Sequence, residues 1–469
     1  MLLDALREAG RAAIGLFVLP YFYIAVAIVW WHARHTVTLQ RKLFHVRLYG
    51  TLDLVWTRIA AGVAVGLVLS LAGMGIGAKL NAETLMFLWI AMAVLALFRL
   101  RYVCLAYAAG ALGLLEAAVG WTGYRAAEGV WADAQRMLDA IDVPGILFLA
   151  GLLHVAEGLL VRVQRKKLAV PLFLEGKRGK PAGAYALTGV WPIPLLWLVP
   201  AADGGGFALP WAPLFGGDAA AWAFLAFPVL IGFSDRTTAR WPEEKASASG
   251  TLLMLYGAVV AALAAGAVYW PPLAVVAALA AFALHEAVLW IGRAKESGRD
   301  PLFSQDGGGV KVLAVLPHTP AAELGLQAGE RIRKVNGAVV RDAEELHAAL
   351  QLQSAFCKLE VENRDGHVKF LQRARYEGEH YQLGIIPAPD DTVEFVAAPR
   401  SASLWQGLRE AGARRLRNSP TMRMKARREA EQAAAEQAAA REAAALAAET
   451  AEPEEDAGLP PRGNARKKP

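Results

Sequence analysis

GGGVKVLAVLPHTPAAELGLQAGERIRKVNGAVVRDAEELHAAL, residues 307–350, holds the densest run of structural signals in this 469-residue chain. VKVLAVL (310–316) reads as a strand of branched apolar residues, stopped by Pro317 and the Thr319-Pro320 step. Ala321 to Leu326 forms a short helix closed by Gly325 or Gly329. ERIRKV (330–335) sets apolar Ile332 and Val335 among charges, and Asn336-Gly337 turns the chain into AVV. Asp342 caps the amphipathic helix DAEELHAALQL, with Glu345 three residues on as in a capping box and Leu346 and Leu350 on the buried face. CKLEVEN and HVKFLQR then form a hairpin around Asp365-Gly366, and LGII (383–386) is a last strand candidate. A small α+β domain over 305–387 follows from these elements.

Pro317, Thr319, Pro320, Ala321, Gly325, Leu326, Gly329, Glu330, Val335, Asn336 and Gly337 match the motif of bacterial PDZ domains, which this stretch resembles. The resemblance implies a peptide groove in which a strand edge receives a partner strand and backbone amides of a glycine loop hold a C-terminal carboxylate. In this chain it implies Gly307, Gly308 and Gly309 for the loop, Val310 and Val312 for the strand, and His347 on the helix. Just before it, 299–309 is rich in glycine, aspartate and proline and reads as a hinge. The tail, 388–469, is dominated by Ala, Glu, Gln and Arg, which favours a solvated helix, and ends in a disordered stretch. Its mixed charge is no nucleic-acid signature.

Working upstream, the material changes. The chain is 55% hydrophobic and 20% charged, with 49 Lys+Arg against 43 Asp+Glu and a net charge of +6. Soluble domains average roughly 45–50% apolar with glycine included, so a uniform globular enzyme and a disordered chain are both excluded. The charge excludes a chain that is all membrane. The two kinds of residue are segregated, with nearly all long apolar runs before residue 293. Runs long enough to cross a bilayer lie at 12–31, 59–78, 84–98, 102–121, 144–163, 184–201, 219–233, 251–270 and 273–292. The third and seventh are short, so eight spans is the alternative to nine. Bases crowd every second loop: Arg41, Lys42 and Arg47; Arg99 and Arg101; Arg165, Lys166 and Lys167; Arg236 and Arg240; Arg293 and Lys295. The positive-inside rule then places the N-terminus outside and everything after residue 293 in the cytoplasm. The N-terminal run has no small-residue cleavage site and reads as a signal anchor. The fold class expected is a polytopic α-helical membrane domain of eight or nine spans (1–298), a small α+β PDZ domain, and a helical and disordered tail.

Gly62, Gly66, Ser70, Gly73 and Gly77 recur at spacings of 4, 4, 3 and 4, one small-residue stripe on one helix face. Such a stripe lets backbones approach in a bilayer, and packing within the chain is preferred over a homodimer face. Ionisable groups inside spans are Glu116, His154, Glu157, His285 and Glu286. Glu157 and His285 fall at nearly the same depth and are expected to pair across helices; a metal or proton site is the sharper alternative. Cys104 and Cys357 are the two cysteines and read as buried thiols, so no disulfide, metal or cofactor is assigned. Enzyme signatures fail. His285-Glu286 opens an HExxH metalloprotease pattern, but position 289 is Leu289, and no Gly-x-Ser-Gly nucleophile domain precedes Gly307.

The layout of spans followed by a cytoplasmic PDZ domain resembles the MinJ family of division-site topology proteins. QRKLFHVRLYG in the first basic loop, and EELHAALQ through AFCKLEV, DGHVKF and YQLGII, strengthen the likeness, which runs to about residue 387. The resemblance implies a non-enzymatic membrane scaffold, enriched at septum and poles, that bridges a DivIVA-like curvature-sensing protein to a MinD-like membrane ATPase. The long tail departs from that pattern and puts partner identity in doubt. The competing class is an accessory or degenerate membrane protease subunit whose PDZ domain presents substrates.

Overall fold

The computed structural model describes residues 2–123, 125, 127–175, 180–201, 206–215, 219–353, 355–376 and 383–390. The tail read as helix and disorder lies outside the described residues from position 391. The first half opens with α1 (Leu2–Val18), α2 (Pro20–Phe44), α3 (Thr51–Ile76), α4 (Ala82–Phe98), α5 (Leu105–Thr122) and amphipathic α6 (Val130–Asp139). Next come α7 (Val143–Val163) and the single turn α8 (Arg165–Leu168). Three strands follow, β1 (Ala169–Glu175), β2 (Pro181–Pro200) and β3 (Trp222–Thr237), then α9 (Pro242–Gly266) and α10 (Leu273–Ser297). The second half contains β4 (Val310–Val315), α11 (Pro320–Glu323), β5 (Arg331–Val335), β6 (Ala338–Val339) and α12 (Ala343–Leu352). It closes with β7 (Phe356–Glu362), β8 (Val368–Ala374) and β9 (Ile385–Pro387).

Helices followed by a PDZ-like sheet domain are therefore the architecture. Among the described residues, α3, α5, α7, α9 and α10 are long and apolar enough to cross a membrane. Ala5–Val18 and Pro20–Phe44, bent by 59° at a short break, make a sixth if counted as one span. The expected count of eight or nine helical spans is corrected at three places: the runs at 184–201 and 219–233 are the strands β2 and β3, and the run at 84–98 is α4, shorter than the five spanning helices. β2 and β3 pair antiparallel from Tyr185↔Thr237 to Pro200↔Trp222, and β1 pairs with the start of β2. Hydropathy does not distinguish an apolar strand from an apolar helix, but Pro192, Pro194 and Pro200 do. A proline inside a helix costs about 3 kcal/mol or more, whereas extended backbone accepts its fixed φ. The burial of Trp191, Ile193, Leu195 and Trp197, all 0% exposed, has the period of two that a strand imposes.

The small-residue stripe of α3 lies along the edge of β2 that β3 leaves free. A Cβ added at Gly62 would collide with the Pro192 carbonyl oxygen, and one at Gly66 with that of Pro194. At Gly73 it would come within 2.8 Å of the Trp197 ring. Gly77 ends the helix at φ 61° against Pro213. The prolines present no N–H to this helix, and the remaining backbone groups are met in turn. Ser70 Oγ accepts from Leu196 N at 2.9 Å, Ala78 N donates to Leu198 O at 3.2 Å, and Arg58 Nη2 donates to Thr188 O at 3.3 Å. A four-residue helical step of about 6 Å meshes with a two-residue strand step of about 6.6 Å. The register 62–192, 66–194, 70–196 follows from that match. α7 and α9 also meet through glycines, Gly151 against Gly257 and Gly158 against Gly250.

In the PDZ-like domain the strand order is β8-β7-β5-β4-β9, with β6 on β5. Asp342 caps α12 through Glu345 N at 2.8 Å, and Leu346 and Leu350 reach a core shared with Val310, Val312, Cys357 and Leu359.

The α3–β2 contact makes a direct prediction for the full-length protein in detergent. Gly66→Val should lower stability by about 1–3 kcal/mol through overpacking against Pro194. Gly75→Ala on the same helix, where nothing lies within 4 Å, should leave the thermal midpoint unchanged or slightly raised. Equal midpoints for the two variants would remove the role assigned to the stripe.

Candidate peptide-binding site

β4, the strand expected to receive a peptide, has no free edge. It pairs with β5 at Val310↔Ile332 and with β9 at Val312↔Pro387, Ala314↔Ile386 and Val315↔Ile385. Val310 and Val312 are 0% exposed. The glycine loop before it is filled by the chain's own groups: Gly308 N donates to Asp306 Oδ1 at 3.2 Å, and Arg331 bonds Asp306 and packs on Gly309. A carboxylate arriving there would meet Asp306, a like charge. Burial, and then Arg331, lower the pKa of Lys311 beside this loop. The groove assigned to Gly307, Gly308, Gly309, Val310 and Val312 is thus corrected: antiparallel neighbours on both sides leave nothing for a partner strand.

The outermost strand on this side is β9. Leu316 N donates to Gly384 O and Ala388 N donates to Lys311 O, at 2.9 and 2.8 Å, so alternation turns Ile385 N–H and C=O away from β4. Among the described residues no strand pairs that second edge. Before β9, Leu383 and Gly384 take positive φ of 58° and 83°. Gly384 is required twice, by that backbone and because a Cβ would strike Thr319. Thr319 Oγ1 in turn donates to Leu316 O at 2.6 Å, and Ala321 N donates to Leu383 O at 2.9 Å. The Pro-x-Thr-Pro-Ala step therefore clamps the turn that launches β9. Leu383 and Ile385 share a core with Leu346, Ala349 and Leu350 of α12. His347 is half-buried on that helix, its Nε2 2.8 Å from Gln351 Nε2. The site thus pairs α12, as the sequence implied, with a strand that the sequence marked only as a last candidate.

Residues 311–359 match the PDZ domain family. Over 401 residues the chain is 31% identical to the cell division topological determinant MinJ of Bacillus subtilis strain 168, covering 85% of this chain and 98% of that protein. It is 24% identical over 383 residues to a "Probable cell division topological determinant MinJ" of Lacticaseibacillus paracasei, 79% of this chain and 96% of that one. The chain belongs to the MinJ family. No solved structure matches it.

In this MinJ-family chain the PDZ domain is seated on the helical half. Phe303, 0% exposed, lies 5.4 Å from the Tyr185 ring and 5.7 Å from the Trp241 ring, and its carbonyl accepts from Gly183 N at 2.8 Å. Tyr185 hydroxyl donates to Leu313 O of β4. Arg364, from the β7–β8 turn, stacks over Trp241 at 4.1 Å. The segment 299–309, expected to be a hinge, is therefore pinned at its centre by a buried aromatic ring.

The intramembrane pairing expected for Glu157 and His285 is also corrected. His154 stands between them: its Nε2 is 3.9 Å from Glu157 Oε2, and its ring centroid is 5.4 Å from that of His285. Glu286 is held by Arg101 at 2.7 and 2.8 Å and by Tyr107 at 2.8 Å. Residues three apart on α7 face each other, which depth alone does not reveal.

Phe303→Ala should cost about 3–5 kcal/mol of this packing. Trypsin cleavage at exposed Arg299 of the full-length protein should then rise about tenfold or more, an acceleration that 1.4 kcal/mol already supplies. An unchanged rate would mean that Phe303 does not hold the domain. Burial pushes the Cys357 thiol up to about 11 from its ordinary 9.0. A raised pKa stabilises the fold fully below pH 9, and that contribution is lost as pH rises through about 11. Cys357→Ala should flatten the fall of the unfolding midpoint across that window.

Proposed function

We propose that this chain is a non-enzymatic, multi-pass membrane scaffold. It holds its PDZ domain at the cytoplasmic face, where the outer edge of β9 beside α12 takes up a peptide segment of division proteins. The observation that carries the groove is the strand order, in which β9 is the terminal strand and its Ile385 backbone groups turn outward. The relatives named as cell division topological determinants support a division role, and the PDZ match supports binding over catalysis. Bases between α4 and α5, after α7 and after α10, each separated from the next by two of the candidate spans, support the cytoplasmic assignment of the domain.

On this reading the scaffold is enriched at septum and poles, and it places the division machinery or its inhibitors there. The partners proposed are a DivIVA-like curvature-sensing protein and a MinD-like membrane ATPase, together with the lipid bilayer itself. No nucleic acid has a part in this reading. Added strands bind through main-chain hydrogen bonds, so the sequence preference would come from pockets beside α12, near His347.

A fluorescent fusion of the full chain should concentrate at septa and poles; uniform membrane fluorescence through the cell cycle would count against the division role. Crosslinking pull-down from the same cells should recover division proteins with the wild type and at least about tenfold less with Ile385→Pro, which lacks the N–H an incoming strand needs. Equal recovery would remove β9 from the proposal while leaving the localisation result to stand on its own.

A further inference from the structure

α5, α7 and α10 bring Cys104, His154 and His285 together, with one ligand atom from each within 4.8 Å of the others. Cys104 Sγ lies 3.3 Å from His154 Nε2. Tetrahedral zinc, with bonds of about 2.3 Å to sulfur and about 2.0 Å to nitrogen, sets those two atoms about 3.5 Å apart. The hydrogen-bond network also decides which ring nitrogens are available. His154 Nδ1 is 2.7 Å from the Ala150 carbonyl oxygen, which only accepts, so Nδ1 carries the proton and Nε2 presents its lone pair to the thiol. Tyr107 hydroxyl, with one proton, donates it to Glu286 Oε1 at 2.8 Å, a carboxylate already gripped by Arg101. His285 Nδ1, 2.6 Å from the same hydroxyl oxygen, must then donate to it, and its Nε2 also keeps a lone pair.

Each imidazole is thus oriented as metal-bound histidines are, with the far N–H held by a carbonyl or by a phenol backed by a carboxylate. One thiol proton can serve only one of the two lone pairs, whereas a cation serves both. Glu157, whose Oε2 is 3.9 Å from His154 Nε2, lies beside this trio as a neighbouring carboxylate and is not one of its three converging donors. A divalent ion with one thiolate and two neutral imidazoles keeps a charge of about +1, which the neighbouring Glu157 carboxylate offsets in a site walled by Tyr107, Tyr256 and apolar helices. One thiolate and two imidazoles are a donor set that favours zinc. We propose that Cys104, His154 and His285 bind one zinc ion that ties α5, α7 and α10 together, its fourth position left to water.

The test uses the full-length protein purified in detergent from zinc-replete cells. Metal analysis should find about one zinc per chain in the wild type and less than about a tenth of that in Cys104→Ser and His285→Gln, each checked for a monodisperse gel-filtration profile. Cobalt loading of the chelator-stripped wild type should give a thiolate-to-cobalt charge-transfer band that zinc displaces and that Cys104→Ser lacks. Zinc retained at wild-type level in both variants would mean an adventitious ion only and would overturn the site. A wild type that takes up neither zinc nor cobalt overturns it too. Where a variant does not fold, the wild-type cobalt band decides alone: its absence sinks the proposal.

Discussion

The helical half is organised around one backbone constraint, the stretch of the β2 edge beyond residue 187 that β1 leaves and no other strand pairs among the described residues. A strand edge carries a row of peptide groups, and in apolar surroundings each one left unpaired costs about 1–3 kcal/mol or more. Prolines delete the donors at 192 and 194, Ser70 accepts the one at 196, and backbone or guanidinium donors reach the carbonyls of 198 and 188. The glycines of α3 let the helix come close enough for this to happen. Any bilayer that α3 crosses therefore also contains a β-hairpin, tolerated because helix and sheet cover one another.

The same strand carries that order to the PDZ domain. β2 runs from Pro200, near the end of α3, to Gly183 and Tyr185, which hold Phe303 and the Leu313 carbonyl. The domain is thus attached through a stiff strand, an aromatic plug and the Arg364–Trp241 stack, not through its connecting segment alone. These contacts leave β9 and α12 at a set orientation to the helices.

Much of the PDZ domain is legible in the chain because its signals are local. The Asp342–Glu345 cap, the Asn336-Gly337 turn and the Asp365-Gly366 hairpin each act within a few residues, and each appears where it was expected. That β4 is paired on both sides is not legible in the chain, because a free edge is a property of strand order. Nothing within VKVLAVL says that LGII will lie beside it, although the positive-φ demand at Gly384 was a signal that the later stretch does more than end the domain. The prolines of 184–201 likewise favour a strand where hydropathy alone favours a helix.

What the sequence determined by itself was segregation: apolar segments before residue 293, charge after it, alternating basic loops and a compact α+β unit. These depend on composition and short-range periodicity, which the chain carries wherever it folds. Tertiary structure alone decided which apolar runs became strands locked on α3, which strand of the PDZ sheet lies outermost beside β4 among the described residues, and which polar side chains of three helices met. Each of those depends on partners 50 to 180 residues away, as with Cys104 and His154 or Tyr107 and Glu286. Only packing brings such groups within hydrogen-bonding distance.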